Sequence, residues 1–136
     1  MSRGFSVTRL IHFCYGHRLL RYQGKCRHLH GHNGLVEITI KAKKLDSLGM
    51  VMDFERIKSK VRSWVDRELD HKLLLHEKDP LIPSLERFGQ PMVTLKGNPT
   101  AEAIARLIFD YARAQRLPVA SVKLWETRSS FAQYGE

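Results

Sequence analysis

The stretch CRHLHGHNG, Cys26 to Gly34, sets a cysteine and three histidines at every second position. In an extended strand successive side chains alternate between faces, so Cys26, His28, His30 and His32 would project from one side. Imidazoles and thiolates are metal ligands, and zinc takes a histidine nitrogen at about 2.0–2.1 Å. Side chains two residues apart on a strand start about 6.6 Å apart, a gap two imidazoles close over one ion. Four in a row would span about 20 Å and cannot converge. The strand therefore supplies two ligands, and His30 and His32, on either side of Gly31, are the pair a bend would bring together. A third must come from elsewhere, and His12, His17, His71 and His76 are available. Three histidines leave the fourth position of a zinc open to water or substrate, as catalysis requires. Cys26 as a fourth ligand would close the site into a structural one. The spacing leaves Cys26 open between ligand and base or nucleophile, and the flanking Lys25 and Arg27 favour its thiolate. His28 reads as a solvent-facing neighbour.

Two further places carry chemistry. Asp70-His71, in ELDHKLLL, could be an acid–base pair in which the carboxylate orients the imidazole and supports its charged form. The plainer reading is a helix end whose polar residues meet solvent. Glu126, near the end of an alternating apolar strand in KLWETRSS, either pairs with an arginine or receives donors from a ligand.

The elements that must position these residues follow from pattern. Alternation over 5–13 and 34–45 predicts two strands, with a turn at LDSLGM where Gly49 can take positive φ. Asp53 is placed to cap a helix whose apolar face is Ile57, Val61, Trp64, Val65 and Leu69. Residues 76–98, with three prolines and two glycines, read as a long loop holding one short strand near PMVTL. Asn98 or Thr100 would cap a second helix lined by Ile104, Leu107, Ile108 and Tyr111. PVASVKLWET, 118–127, is a strand, and FAQY suggests another. The expected architecture is α+β: a four-stranded antiparallel sheet with two helices on one face. Its exposed edges invite pairing between copies.

At 136 residues one domain, 1–136, is the simplest organisation. No apolar run approaches the ~20 residues of a membrane span. The opening MSRGFSVTRLIHF lacks an apolar export core, so a cytoplasmic location is expected. In that reducing compartment a Cys14–Cys26 disulfide is disfavoured. Lys and Arg number 23 against 14 acidic residues, a net +9 that suits a polyanionic partner, nucleic acid or a phosphorylated small molecule. A zinc-stabilised nucleic-acid module would need aromatics interleaved with Arg and Lys for base stacking. Aromatics are only 9% and mostly fall at core positions, which speaks against that class.

FCYGHRL, CRHLHGHN, GMVMDF, LDHKL, NPTAEAIA and WET, in this order and covering nearly the whole chain, resemble the 6-pyruvoyltetrahydropterin synthase / 6-carboxytetrahydropterin synthase family. The resemblance implies the tunnelling fold, in which trimers close their sheets into a barrel and two trimers stack as a homohexamer. It implies zinc on His17, His30 and His32, with Cys26 catalytic rather than a ligand. Asp70 and His71 would complete proton transfer from a neighbouring subunit. Glu126 would anchor the pterin by accepting two parallel hydrogen bonds, helped by the backbone around Thr127. The spacing Cys26-x-x-x-His30-Gly-His32 resembles the carboxytetrahydropterin branch. That implies a lyase of queuosine and deazapurine biosynthesis, converting 7,8-dihydroneopterin triphosphate to 6-carboxytetrahydropterin, acetaldehyde and triphosphate. The sister reaction, 6-pyruvoyltetrahydropterin formation, would use the same zinc and pterin sites. Arg18, Arg21 and Lys25 lie near the motif and could meet the triphosphate.

Overall fold

The computed structural model describes residues 3–136; Met1 and Ser2, part of the expected domain, lie outside them. Six strands form one curled sheet: β1 (Phe5–His17), β2 (His30–Ala42), β3 (Lys72–His76), β4 (Met92–Leu95), β5 (Val119–Thr127) and β6 (Ser130–Gly135), in the order β4-β3-β1-β2-β5-β6. The antiparallel sheet expected from the pattern is present as β1, β2, β5 and β6, and two parallel strands extend it on the β1 side. Both additions lie in or beside the stretch read as loop. LLL in β3 is a short apolar run, which periodicity alone cannot tell from a buried helix end.

The inward face of the sheet reads Ile11, Phe13 and Tyr15 on β1, Val36, Ile38 and Ile40 on β2, and Val122 and Leu124 on β5, each at most 3% exposed. Two helical stretches cover it. The first begins at Asp53, whose Oδ1 accepts from the Glu55 amide, and runs through α1 (Phe54–Ile57), a π turn (Lys58–Arg62) and α2 (Ser63–Glu68). Its buried residues Ile57, Val61, Val65 and Leu69 are spaced by four. At 3.6 residues per turn that stripe would drift about 40° per step. The wider π turn takes up the drift and keeps all four on the sheet. After the short α3 (Ile82–Arg87) comes α4 (Ala101–Ala114), capped by Thr100 rather than Asn98 and burying Ile104, Ala105, Ile108 and Ala112. Asn98 instead clamps the backbone of Leu20 at both its N–H and C=O.

The 76–98 segment is thus not a plain loop. It contains α3, with Pro83 in the first turn where a missing N–H costs nothing, and β4. Asp79 pins it to the end of β1: its carboxylate accepts from Arg18 Nε at 2.8 Å and from Arg18 Nη2, and its side chain is fully buried. Arg18, a candidate for binding phosphate, is therefore committed to a structural pair.

The Arg18 hydrogen bonds hold the Asp79 carboxyl below the ordinary carboxylate range, against burial, which pushes it up. A carboxyl whose pKa falls on folding adds stability above its unfolded value of about 3.9, and that stability is lost as the pH drops through the lower folded value. Arg18→Ala, which leaves a buried unpaired carboxylate, is expected to cost about 3–5 kcal/mol at pH 7. The deficit relative to wild type should shrink as the pH falls toward and through the unfolded value of about 3.9, the buried, unpaired carboxyl of the variant taking up its proton first and the paired one last. Denaturant melts across this range check both. A loss under about 1 kcal/mol would put the pair among ordinary surface pairs.

Candidate metal centre and its cavity

Tyr15 and His17 continue the inward side of β1 beyond Phe13, so the helix-covered face passes from apolar core to polar site along a single strand. The antiparallel register sets His17 opposite His30 and Tyr15 opposite His32. These four share one face, and the ligand atoms of His17, His30 and His32 all lie within 4.8 Å of one another. His17 supplies the third histidine; His12, exposed on the other face, His71 and His76 are not part of the cluster. β3 pairs with just this end of β1, Tyr15 to His17, and stiffens it.

The rings are oriented from behind. His17 Nδ1 lies 2.7 Å from the Pro99 carbonyl, and His30 Nδ1 lies 2.7 Å from the His28 carbonyl. A carbonyl only accepts, so in each ring Nδ1 carries a proton, and Nε2 is the nitrogen turned toward the cluster. His28, exposed as expected, contributes through its backbone. His32 Nε2 is 3.2 Å from His17 Nε2. Glu126 Oε2 approaches the same nitrogens, at 2.8 Å from His32 and 3.3 Å from His17. Lone pairs and a carboxylate crowded this closely need positive charge between them, supplied by protons or by a cation. Hydrogen bonding to His17 holds Glu126 ionised, below the ordinary range and against burial. Burial lowers His32, Glu126 opposing it and His17 and His30 reinforcing it, which favours the neutral, ligating ring. This donor set fits a divalent metal at a three-histidine site with a carboxylate at hand.

Asp70 and His71 do more than solvate a helix end. Asp70 Oδ1 accepts from the Cys14 amide at 2.8 Å, and the His71 amide donates to the Cys14 carbonyl at 2.7 Å, so the pair clasps one residue of β1 by the peptides on both its sides. His71 takes φ of 60°, a conformation rare outside glycine. Its Nδ1 lies 2.8 Å from Asp70 Oδ2, leaving Nε2 facing out on a ring that is 77% exposed. Burial alone would raise Asp70, but donation from Cys14 and His71 outweighs it and keeps the carboxyl below the usual range.

His71 lines a cavity of about 490 Å³ together with Cys14, His30, His32, Asn33 and Lys72. A second cavity, about 740 Å³, meets it at His32 and is walled by His12, Leu35, Trp125, Glu126, Thr127 and Arg128. Glu126 and Thr127 thus share a wall, and the two cavities flank the histidine cluster. Cys26 lies on a 3₁₀ turn, Lys25–Arg27, tied to the end of β1 by the Leu19 amide on its carbonyl at 2.8 Å. It is not one of the converging ligands, and the thiol lining the first cavity is Cys14, whose Sγ lies 3.0 Å from Asn33 Oδ1. Tyr15 was hidden in the sequence as one more apolar inward position, and its hydroxyl donates to Glu126 Oε2 at 3.3 Å.

The known proteins that this chain resembles point to one family. The family model of 6-pyruvoyl tetrahydropterin synthase matches residues 6–136. A 6-carboxy-5,6,7,8-tetrahydropterin synthase of Rickettsia bellii is 43% identical over 133 residues, 93% of this chain and 96% of the relative. An uncharacterized protein from Wolinella succinogenes superposes with a TM-score of 0.81 at 25% identity, over 99% of both chains. The 6-pyruvoyl tetrahydropterin synthase of Caenorhabditis elegans shares the fold, with a TM-score of 0.72 at 20% identity over 99% of this chain and 97% of that one. The six strands and their covering helices are a tunnelling fold, and the chain belongs to the 6-pyruvoyl tetrahydropterin synthase family.

Proposed function

We propose that this protein, as a single pterin-binding domain, is a zinc-dependent 6-carboxy-5,6,7,8-tetrahydropterin synthase. It is a lyase that takes 7,8-dihydroneopterin triphosphate to 6-carboxytetrahydropterin, acetaldehyde and triphosphate, the chemistry that feeds queuosine and related deazapurines. The observation that carries this reading is the convergence of His17, His30 and His32 beside the Glu126 carboxylate, with Cys26 four residues ahead of His30.

His17, His30 and His32 would hold the metal by Nε2. When bound, zinc supplies a Lewis acid that makes hydroxyls of the substrate side chain more acidic. The remaining work falls to the chain. Cys26 Sγ, flanked by Lys25 and Arg27, takes a proton from the side chain and returns it. His71 carries its mobile proton at Nε2, because Nδ1 is held by Asp70, and Asp70 stabilises the imidazolium that results. In a closed ring of subunits this pair would serve the site of a neighbouring copy, so a homo-oligomer, trimer or dimer of trimers, is part of the proposal. Glu126 presents a carboxylate, and its contacts among the described residues fall on Oε2, leaving Oε1 for the amino-pyrimidinone edge of the pterin. The Thr127 backbone lies beside it. The net charge of +9 supports a triphosphate substrate, and a cytoplasmic setting suits two free thiols. Among the described residues no helix is long and apolar enough to cross a membrane.

Glu126→Gln tests the anchor. It is expected to weaken binding of neopterin, an oxidised pterin with the same edge, by about 1.5–3 kcal/mol, the worth of hydrogen bonds to a charged group. Titration of pterin fluorescence measures it, and equal affinities would remove Glu126 from the pterin site.

A further inference from the structure

Tyr15 stands on β1, yet its hydroxyl meets Glu126 on β5, with β2 between them. Neighbouring strands lie about 4.8 Å apart, so the phenol spans the width of β2. Gly34 makes that crossing possible. It is the inward position on β2 next to His32, and a Cβ there would lie 3.1 Å from Tyr15 Cε1, 3.2 Å from Leu124 Cδ1 and 3.3 Å from Phe13 Cε1. The ring stacks on Phe13 with centroids 5.0 Å apart, meets His17 edge-on at 5.2 Å and leans on His32 at 5.5 Å. Only 3% of the residue is exposed. Phenylalanine would satisfy this packing equally well; the hydroxyl is what packing does not require.

Among the described residues the Glu126 carboxylate has three partners, all on Oε2: His32 Nε2, His17 Nε2 and the Tyr15 hydroxyl. The two nitrogens are the ones that converge with His30 as metal ligands. A nitrogen whose lone pair is given to a metal carries no proton and cannot donate. Of the three partners, the Tyr15 hydroxyl alone can still donate to Glu126 in the loaded protein.

We propose that Tyr15 is a positioning residue, which holds the Glu126 carboxylate beside the metal centre and aims it at the bound pterin. The proposal rests on the reading of Glu126 as the pterin anchor. Without the hydroxyl the carboxylate has alternative rotamers, and each binding event must order it again.

The test is a double-mutant cycle on the metal-loaded protein, using Tyr15→Phe, Glu126→Gln and the pair together, read by neopterin affinity and by metal content. Tyr15→Phe is expected to retain the metal and to weaken neopterin binding about tenfold, the range of one hydrogen bond to a charged acceptor. In the Glu126→Gln background the same change should have little further effect. Steady-state turnover of 7,8-dihydroneopterin triphosphate should show KM rising more than kcat falls, since a binding carboxylate and not the reacting group is disturbed. A Tyr15→Phe loss of equal size in both backgrounds, or none in either, overturns the proposal. An unchanged affinity in Glu126→Gln alone overturns the anchor reading instead, and is seen before Tyr15 is altered.

Discussion

His30→Ala is expected to yield a folded protein that neither holds metal nor turns over. His30 is the cleanest of the three histidines to remove. Its ring is partly exposed at the first residue of β2, and its Nδ1 is tied only to the His28 carbonyl. His17, in contrast, is 2% exposed and bonded to the Pro99 carbonyl, so its loss would disturb the approach to α4 as well. Two histidines on adjacent strands are a weak site for a divalent ion, whereas even altering the partner behind a ligand commonly costs 10–100-fold in affinity. Metal analysis after dialysis and a far-UV circular dichroism spectrum separate the two effects. The spectrum should match wild type, because the core beneath the site is built from Phe13, Val36 and Leu124 and needs no metal. Unchanged metal content would remove His30 from the site. A collapsed spectrum would mean that the ion is structural, since structural zinc supplies folding energy.

Cys26→Ala is expected to lower turnover by about 10²–10⁴-fold while metal content stays at the wild-type level, the range for losing a positioned acid–base group. The geometry makes the metal half of this prediction specific. Ligand atoms of three histidines converge, and the Cys26 thiol is not among them. Cys14→Ala is the necessary control, because Cys14 is the thiol that lines the cavity next to His71. Its interactions with Asp70 and His71 run through its backbone and survive the substitution, so turnover should fall only a few-fold. Loss of metal in Cys26→Ala would make Cys26 a fourth ligand. A larger effect at Cys14 than at Cys26 would move the proton-transfer role to the cavity thiol.

Much of the site could be read in the chain because its signals are local. His30 and His32 follow from strand alternation, Asp53 and Thr100 from capping chemistry, and Gly49 from a turn that it enters with φ of 82°. His17 could be one of four candidates by spacing, and only the register that sets it against His30 distinguishes it physically. The misread parts depended on neighbours far off in sequence. β3 exists because Leu73 and Leu74 pair with Gly16 and His17, and a five-residue run cannot announce that partner. Asp79 looks like one more charge in a polar connection until Arg18 closes on it. Tyr15 follows Ile11 and Phe13 in the inward alternation, and its polar role appears only when the space over Gly34 and the carboxylate beyond are known. The π turn is a middle case, because the strict spacing of Ile57, Val61, Val65 and Leu69 does carry its cause.

The two branches of the family part at the product, and so does the test of this protein's chemistry. The zinc-loaded protein is incubated with 7,8-dihydroneopterin triphosphate, the pterin is identified by mass, and the volatile fragment is trapped as a hydrazone. A 6-carboxy pterin with acetaldehyde in equal amount is the expected result. A 6-pyruvoyl pterin without acetaldehyde would contradict it.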